Sequence, residues 1–371
     1  MSKTIVFIGT GQLPIPSDKG AIEEIIWKTS LGLSRRGYTV YIFNPVSNDL
    51  FTKYVKTLSL HRLPWNTDET IIHFHDIGLC TFYSFTSQRF HVKNTVLTLH
   101  YPPWVTKNKK HFILMLSVLK YLANRGVILV APSTAVAHWI RKTFNAEAYL
   151  IPNGVDTVIF NPSKRDREMR EKILGDKEIL ITYTARIHPT KNQLDLVKAT
   201  SMLINSYGIR NFKVAFIGPF SGMFNEKAKK RINPYYILLR NYIEKNNLKE
   251  HVVFLGELPN KEVANILASS DIYAHTSLVE VAVPLAVMEA MSSGLPIVAY
   301  SLVYYHDILR NSVNALLAKR GDVEDLALIL ANLIEDKELR KVLGRRARKF
   351  VEQYLSWEKI TEKYIELYNR I

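Results

Sequence analysis

The chain has 371 residues, beyond the ~250–300 at which a single hydrophobic core stops growing, so two domains are expected. Its 47% hydrophobic and 22% charged residues are those of an ordinary globular protein, and a single cysteine, Cys80, excludes an intrachain disulfide and argues against a zinc cluster. The net charge of +15, from 49 basic and 34 acidic residues, suits an anionic partner: nucleic acid, a phosphorylated metabolite or a membrane surface.

The opening MSKTIVFIGTG carries one Lys and runs straight into a strand, which is not the pattern of a signal peptide. The longest apolar stretches, such as 112–116 and 127–131, are too short to span a bilayer, so a soluble, cytoplasmic protein is expected. Residues 4–8 read as a buried strand followed by a loop rich in Gly and Pro. Gly9 and Gly11 open like a dinucleotide fingerprint. Pro14 stands where the third glycine belongs and no helix begins at once, so that motif is rejected. The helix begins near Gly20, with Ile22, Ile25, Ile26, Thr29 and Leu33 at helical spacing and Arg36-Gly37 as its stop.

Further strands are predicted at 40–43, 71–74, 96–99, 127–130 and 149–151, with helical stretches at 79–88, 109–124 and 134–144. Short apolar strands alternating with helices predict a parallel sheet covered on both faces, and such sheets bind ligands outside the carboxyl ends of their strands. His75, Asp76 and His100 stand at two of those ends. His100 is a candidate for either function or structure, and His73, His75 and Asp76 make only a weak metal pattern. From 77 to 146 there is no Asp or Glu, whereas Arg89, Lys93, Lys107, Lys109, Lys110, Lys120, Arg125, Arg141 and Lys142 make the stretch purely basic. Within it, 104–125 reads as a basic amphipathic helix. It either packs on the sheet with a solvated basic edge or meets an anionic membrane surface or phosphorylated lipid.

IPNGVD at 151–156 is a turn signal, followed by a charged stretch at 164–177, and the domain boundary is placed near Gly154. The second half repeats the alternation, with strands at 179–184, 214–218, 252–255, 272–275, 297–299 and 315–317. Its helices are placed at 192–207, 225–246, 261–268, 323–333 and 337–354, with one more opened by Pro284 and stopped by Gly294 and Pro296. An amphipathic helix closes the chain over 356–371. The fold class is therefore α/β, with two doubly wound Rossmann-like domains, 1–155 and 156–355, and the closing helix.

Chemistry concentrates in two places. In YTARIHPTKNQ, Arg186 and Lys191 stand in a Pro-containing loop at a strand's carboxyl end. An Arg making a forked contact and a Lys acting as a point charge suit a diphosphate, the alternative being plain surface charge. The segment 275–299, HTSLVEVAVPLAVMEAMSSGLPIVA, carries two acids, Glu280 in a loop and Glu289 in a helix. The unpaired N–H groups at that helix start suit phosphate. The surroundings of both acids are almost wholly apolar, which argues against simple solvated positions.

In combination and order these residues resemble the retaining glycosyltransferases of the GT-B architecture, family 4. The resemblance rests on GAIEE with RRGYTV, IPNGVD at the hinge, ARIHPTKNQ, VPLAVMEAMSSGLPIVA and the closing SWEKITEKYIELY. It covers nearly the whole chain, and the second-half motifs are the more specific. It implies two Rossmann-like domains facing across a cleft, with the closing helix packing back on the first. The implied reaction moves a sugar from a nucleotide-sugar to an acceptor hydroxyl with retained configuration.

The resemblance also implies residue roles. Arg186 and Lys191 would grip the donor diphosphate and stabilise the departing nucleotide. Glu289 would bond the ribose hydroxyls, and the amides of Leu285 and Ala286 would meet the distal phosphate. Gly20 would approach the donor phosphates, with Ala21 where a second glycine is common, and His100 would face the donor sugar or the acceptor. Residues 216–220 and 254–258 would flank the base. Glu280 would be the catalytic acid, but seven residues separate the family's two glutamates and eight, 281–288, separate these. Either a one-residue bulge restores Glu280 to the site or the site lacks that carboxylate; the bulge is expected.

No metal or cofactor is implied, because Arg186, Lys191 and helix N–H groups supply positive charge. The expected partners are a UDP- or GDP-sugar and a glycan or lipid-linked, anionic acceptor, with peripheral membrane contact and no nucleic acid. Rival readings are a nucleotide-sugar epimerase of the same architecture, a glycan phosphorylase with lysine-bound pyridoxal phosphate, and a basic nucleic-acid-binding protein. The last lacks a recognised nucleic-acid module.

Overall fold

A computed structural model of the chain describes residues 3–16, 20–45, 50–51, 55–57, 69–86, 94–103, 108–220 and 233–371. The chain divides into two units, Met1–Gly154 with Trp357–Ile371, and Val155–Ser356. Val155 and Ser356 pair with each other as an isolated bridge, so both fall in the second unit.

The first unit holds strands β1 (Thr4–Ile8), β2 (Thr39–Phe43), β3 (Leu50–Phe51), β4 (Lys56–Thr57), β5 (Thr70–Phe74), β6 (Thr95–Thr98), β7 (Ile128–Ala131) and β8 (Ala148–Leu150). They form one sheet in the order β3-β4-β2-β1-β5-β6-β7-β8. Its pairs are parallel except for β3 with β4, an antiparallel edge pair of two-residue strands that has no sequence period to announce it. Runs such as TIVFI and TIIHF are buried because a doubly covered parallel sheet has no solvent face. Strand order reverses between β1 and β5, so the loops leaving these two strands start side by side.

The helices of this unit are α1 (Ala21–Ser34), α2 (Ile77–Thr86), α3 (Lys109–Asn124), α4 (Thr134–Phe144) and α12 (Trp357–Asn369). Asp76, a strand-end candidate in the sequence, caps α2 by accepting from Leu79 N–H at 2.8 Å. Asn108 caps α3 and Ser133 caps α4. The predicted segment 104–125 therefore becomes a helix only from Lys109, and residues 104–107 lie outside the described residues, as do Arg89 and Lys93. The closing helix α12 lies against α1, so close that a Cβ on Gly32 would stand 2.2 Å from Thr361 Oγ1. Tyr368 of α12 reaches the sheet, 2.6 Å from His73 Nδ1.

The second unit holds β9 (Ile179–Thr184), β10 (Phe212–Ile217), β11 (Val252–Gly256), β12 (Ile272–His275), β13 (Ile297–Tyr300) and β14 (Ala315–Ala318). All are parallel, in the order β11-β10-β9-β12-β13-β14. Its helices are α5 (Arg167–Leu174), α6 (Gln193–Asn205), α7 (Pro234–Lys245), α8 (Asn260–Ser269), α9 (Leu285–Ser292), α10 (Val323–Glu335) and α11 (Lys337–Tyr354). The helix expected over 225–246 begins at Pro234, capped by Asn233, and residues 225–232 lie outside the described residues. Helix α5 falls in the stretch read only as charged. Asp166 caps it, Gly175 at φ 65° ends it, and Arg170 pairs with Asp271 at 2.7 Å.

Tyr183, Phe216, Tyr273 and Tyr300 are fully buried in this unit's core. A buried hydroxyl must find a partner. Tyr183 donates to the Lys191 carbonyl, Tyr273 to the Thr184 carbonyl at 3.3 Å, and Tyr300 to Asp195 Oδ2 at 2.8 Å. The core thereby fixes the loop after β9 as well as burying apolar area.

Candidate active site

The second sheet reverses direction between β9 and β12, which are hydrogen-bonded neighbours. The loops leaving their carboxyl ends start side by side, at the place where open α/β sheets bind ligands. Arg186, His188 and Lys191 lie on the first loop; His275 ends β12, and Thr276 to Glu280 lie on the second.

The β9 loop is pinned along its length. Ala185 N–H donates to the Ile217 carbonyl at 2.9 Å and Ile187 N–H to Pro219 at 3.1 Å. Gln193 Nε2 returns from α6 to the Arg186 carbonyl at 2.8 Å. Asn192, at φ 50°, turns the chain into α6 and bonds Asp195 at 2.6 Å. The β12 loop is tied to the β9 loop by three further bonds. Thr276 Oγ1 donates to the Asn192 carbonyl at 2.8 Å, and the Thr190 carbonyl accepts from Ser277 Oγ at 3.0 Å and from Leu278 N–H at 3.2 Å.

Glu280 turns inward and accepts a hydrogen bond from Lys191 Nζ, with side-chain exposures of 14% and 21%. His275 Nε2 stands 3.6 Å from the same carboxylate oxygen. Burial opposes the charged form of Glu280, but Lys191 and His275 outweigh it and hold the carboxyl at about 2. The stretch 276–284 is neither helix nor strand, and within it the Glu280 carboxylate meets Lys191.

The partly buried Arg186 lies near enough to Lys191 for both to act on one neighbour. The pKa of His188 is lowered by burial and then by these two cations. An ammonium has three N–H donors. With one on Glu280, Lys191 keeps two for an anionic ligand and is held in one place.

Pro284 caps α9 without any side-chain bond, and its carbonyl takes the N–H groups of Val287 and Met288 at 3.1 and 3.3 Å. Leu285 and Ala286, the first two residues, have no carbonyl one turn back to receive their N–H groups. They are suited to a phosphate oxygen. Glu289, partly buried on the same helix, is close enough to raise the pKa of Tyr273, after burial itself. So Arg186, Lys191, Glu280, Glu289 and the start of α9 belong to one unit and one end of its sheet. At the ends of β10 and β11, Phe216 stacks on Phe254 with centroids 5.2 Å apart, and Phe220 and Tyr236 join them.

Gly20 and His100 belong to the first unit. Gly20, at φ 90°, precedes α1 and leaves no room for a Cβ, which would stand 2.3 Å from Glu23 Oε2. His100 is 9% exposed at the end of β6, with Nε2 2.9 Å from His75 Nδ1. His73 spends both ring nitrogens, on Tyr368 and on Thr98 at 2.7 Å, so it is not free to bind a metal with His75 and Asp76. Among the described residues no group of three or more His, Cys, Asp or Glu is placed to hold a metal ion.

Residues that the sequence left unmarked also shape this site. His275 ends the strand predicted at 272–275 and opens the segment 275–299, with no role of its own expected there. Tyr183, Thr276 and Ser277 act through single bonds to loop carbonyls that no periodicity reveals.

The two sheets, each with a reversal of strand order, define a doubly wound α/β class of protein. More specifically, the chain belongs to the glycosyl transferases group 1: the model of that family matches residues 164–350, and that of Glycosyltransferase Family 4 matches residues 66–158. Sulfoquinovosyl transferase of Arabidopsis thaliana is 30% identical over 257 residues, 67% of this chain and 46% of that protein. The UDP-Gal:alpha-D-GlcNAc-diphosphoundecaprenol alpha-1,3-galactosyltransferase of Escherichia coli is 28% identical over 221 residues, 59% of this chain and 53% of that one. The chain thus matches about half the length of these two relatives. HepE of Anabaena, solved in complex with UDP and glucose, shares the fold with a TM-score of 0.76 over 100% of both chains at 19% identity. The fold is GT-B.

Proposed function

We propose that the protein is a retaining glycosyltransferase that moves a sugar from a nucleotide-sugar to an acceptor hydroxyl. One observation carries this reading: Arg186, Lys191 and the open start of α9 stand on the loops where β9 and β12 part, with Glu280 on Lys191. Positive charge held in place before the reaction stabilises a diphosphate as it leaves the sugar, and costs no reorganisation at that moment. Arg186 takes the diphosphate by its fork, Lys191 by its two remaining N–H donors, and Leu285 and Ala286 by their amides. Glu289 bonds the ribose hydroxyls. The proposed reaction draws on these groups and on no metal or cofactor. Glu280, ionised over the physiological range, faces the sugar side of the diphosphate and offsets positive charge at the anomeric carbon.

A UDP-sugar is the proposed donor. HepE is solved with UDP, the E. coli relative is named for UDP-Gal, and the partly buried rings of Phe220, Tyr236 and Phe254 offer a face for a base. A GDP-sugar is the second choice. The proposed acceptor is a lipid-linked or otherwise anionic glycan, met by the first unit at a cytoplasmic membrane surface. Helices α2 and α3 expose Phe82, Phe85, Ile113 and Leu114, and α3 carries Lys109, Lys110 and Lys120. The E. coli relative is named for a diphosphoundecaprenol-linked acceptor. No helix among the described residues is long and apolar enough to cross a membrane.

The test is incubation with UDP- and GDP-sugars, with and without a panel of lipid-linked and free glycans, followed by NMR of the product. Nucleotide release that requires acceptor and gives an anomer of the donor's own configuration supports the reading. Inverted product overturns retention, and interconversion of donor sugars without acceptor points to an epimerase. Flotation with anionic liposomes checks the acceptor side: flotation supports it, and failure with both anionic and neutral lipid counts against it.

A further inference from the structure

The first sheet carries a row of buried imidazoles, His73, His75 and His100. His73 stacks on His75 with centroids 4.5 Å apart, and His75 on His100 at 5.1 Å. Strands β5 and β6 are parallel neighbours, so the residues that follow them, His75 and His100, leave the sheet together. His75 Nδ1 and His100 Nε2 are 2.9 Å apart, a hydrogen bond that needs one proton between two nitrogens. Burial lowers the pKa of both, that of His100 to about 4, so both rings are neutral near pH 7 and each carries one proton.

Two arrangements satisfy that bond. If His100 donated, His75 would keep its proton on Nε2. That atom is enclosed and has no hydrogen-bond partner among the described residues, so the arrangement would bury an orphaned N–H. If His75 donates from Nδ1, its Nε2 is left with only an unused lone pair. An orphaned buried donor is the rarer and costlier defect. The second arrangement therefore wins, and it places the proton of His100 on Nδ1. No described residue bonds that atom.

We infer that His75 is a positioning residue that fixes His100 in its Nδ1–H form, so that His100 meets a substrate as a neutral hydrogen-bond donor and not as a base. This rests on the reading that His100 faces the donor sugar or acceptor. It suits a sugar hydroxyl, whose oxygen accepts the bond.

The test is nitrogen NMR of ring-labelled protein, assigned with His100→Asn, on wild type, His75→Leu and His75→Asn. The Asn amide can stand near the place of Nδ1 and donate to His100; Leu fills the space and cannot. Wild type is expected to show His100 protonated on Nδ1. His75→Leu is expected to lose that preference and His75→Asn to restore it. With the UDP-sugar selected by the donor screen, His75→Leu should lower kcat about tenfold with little change in donor KM, and His75→Asn should recover most of it. A wild-type His100 protonated on Nε2, or a His75→Leu protein with unchanged ring signals, overturns the inference. Wild-type transfer by His100→Ala overturns the substrate-facing role of His100 instead, and the ring signals still decide whether His75 sets its tautomer.

Discussion

Lys191 donates a hydrogen bond to Glu280 across 89 residues of chain, joining the loops that leave β9 and β12. Truncating one partner of a largely enclosed pair leaves the other charge uncompensated. Lys191→Ala or Glu280→Ala should each cost about 2–3 kcal/mol of stability, less than a fully buried pair because both side chains keep some exposure. The double variant Lys191→Ala with Glu280→Ala should cost clearly less than the sum of the two single changes. Urea unfolding of all four proteins checks this. Strictly additive losses would mean that the pair is not coupled.

The buried imidazoles of the first unit make it sensitive to acid. Burial lowers the pKa of His73 to about 3 and of His100 to about 4, and that of His75 well below its usual value. Unfolded histidines titrate near 6.5, so below that pH the unfolded chain binds more protons than the native one. The contribution of these groups is complete above pH 6.5 and is lost as pH falls towards 4. Each histidine adds a slope of up to ~1.4 kcal/mol per pH unit. Denaturant unfolding between pH 7 and pH 5.5 should show stability falling with pH, and His73→Gln should flatten the curve. A flat wild-type profile would contradict these directions.

Gly218, after β10, lets the chain pass close against the backbone of Ala185 and Arg186. Its φ is 141°, and a Cβ there would stand 2.2 Å from the Ala185 carbonyl oxygen. Gly218→Ala should destabilise the protein by about 2–4 kcal/mol and displace the backbone beside Arg186. Thermal unfolding reads the first effect, and weakened nucleotide affinity in protein that remains folded reads the second.

Much of this was legible in the chain itself, for physical reasons. Strands such as 4–8 and 71–74 are continuous apolar runs between turn signals, and a doubly covered sheet makes them so. Helix α4 could be bounded because Ser133 caps it and Asn145, at φ 51°, ends it. The two-residue strands β3 and β4 have no period to read. Helix α5 buries only Leu174 fully, and is specified by Asp166, Gly175 and tertiary bonds from Arg170. In the site, Arg186, Lys191 and Glu289 were visible as charges in loop or apolar settings. The place of Glu280 depends on Thr276, Ser277 and Leu278 bonding a loop 84 to 88 residues earlier, which linear spacing does not encode. Asp76 looked chemical at a strand end and is a helix cap.

The central claim is that the loops after β9 and β12 hold the diphosphate of a nucleotide-sugar, and nucleotide binding tests it most directly. Thermal unfolding of wild type, Arg186→Ala and Glu289→Ala should be followed with UDP, GDP and their sugars. The account predicts that UDP and UDP-sugars raise the wild-type midpoint, a ligand at 100 times its Kd adding about 2.7 kcal/mol, and that each substitution abolishes the shift. No stabilisation by any nucleotide, or an undiminished shift in both variants, would contradict it.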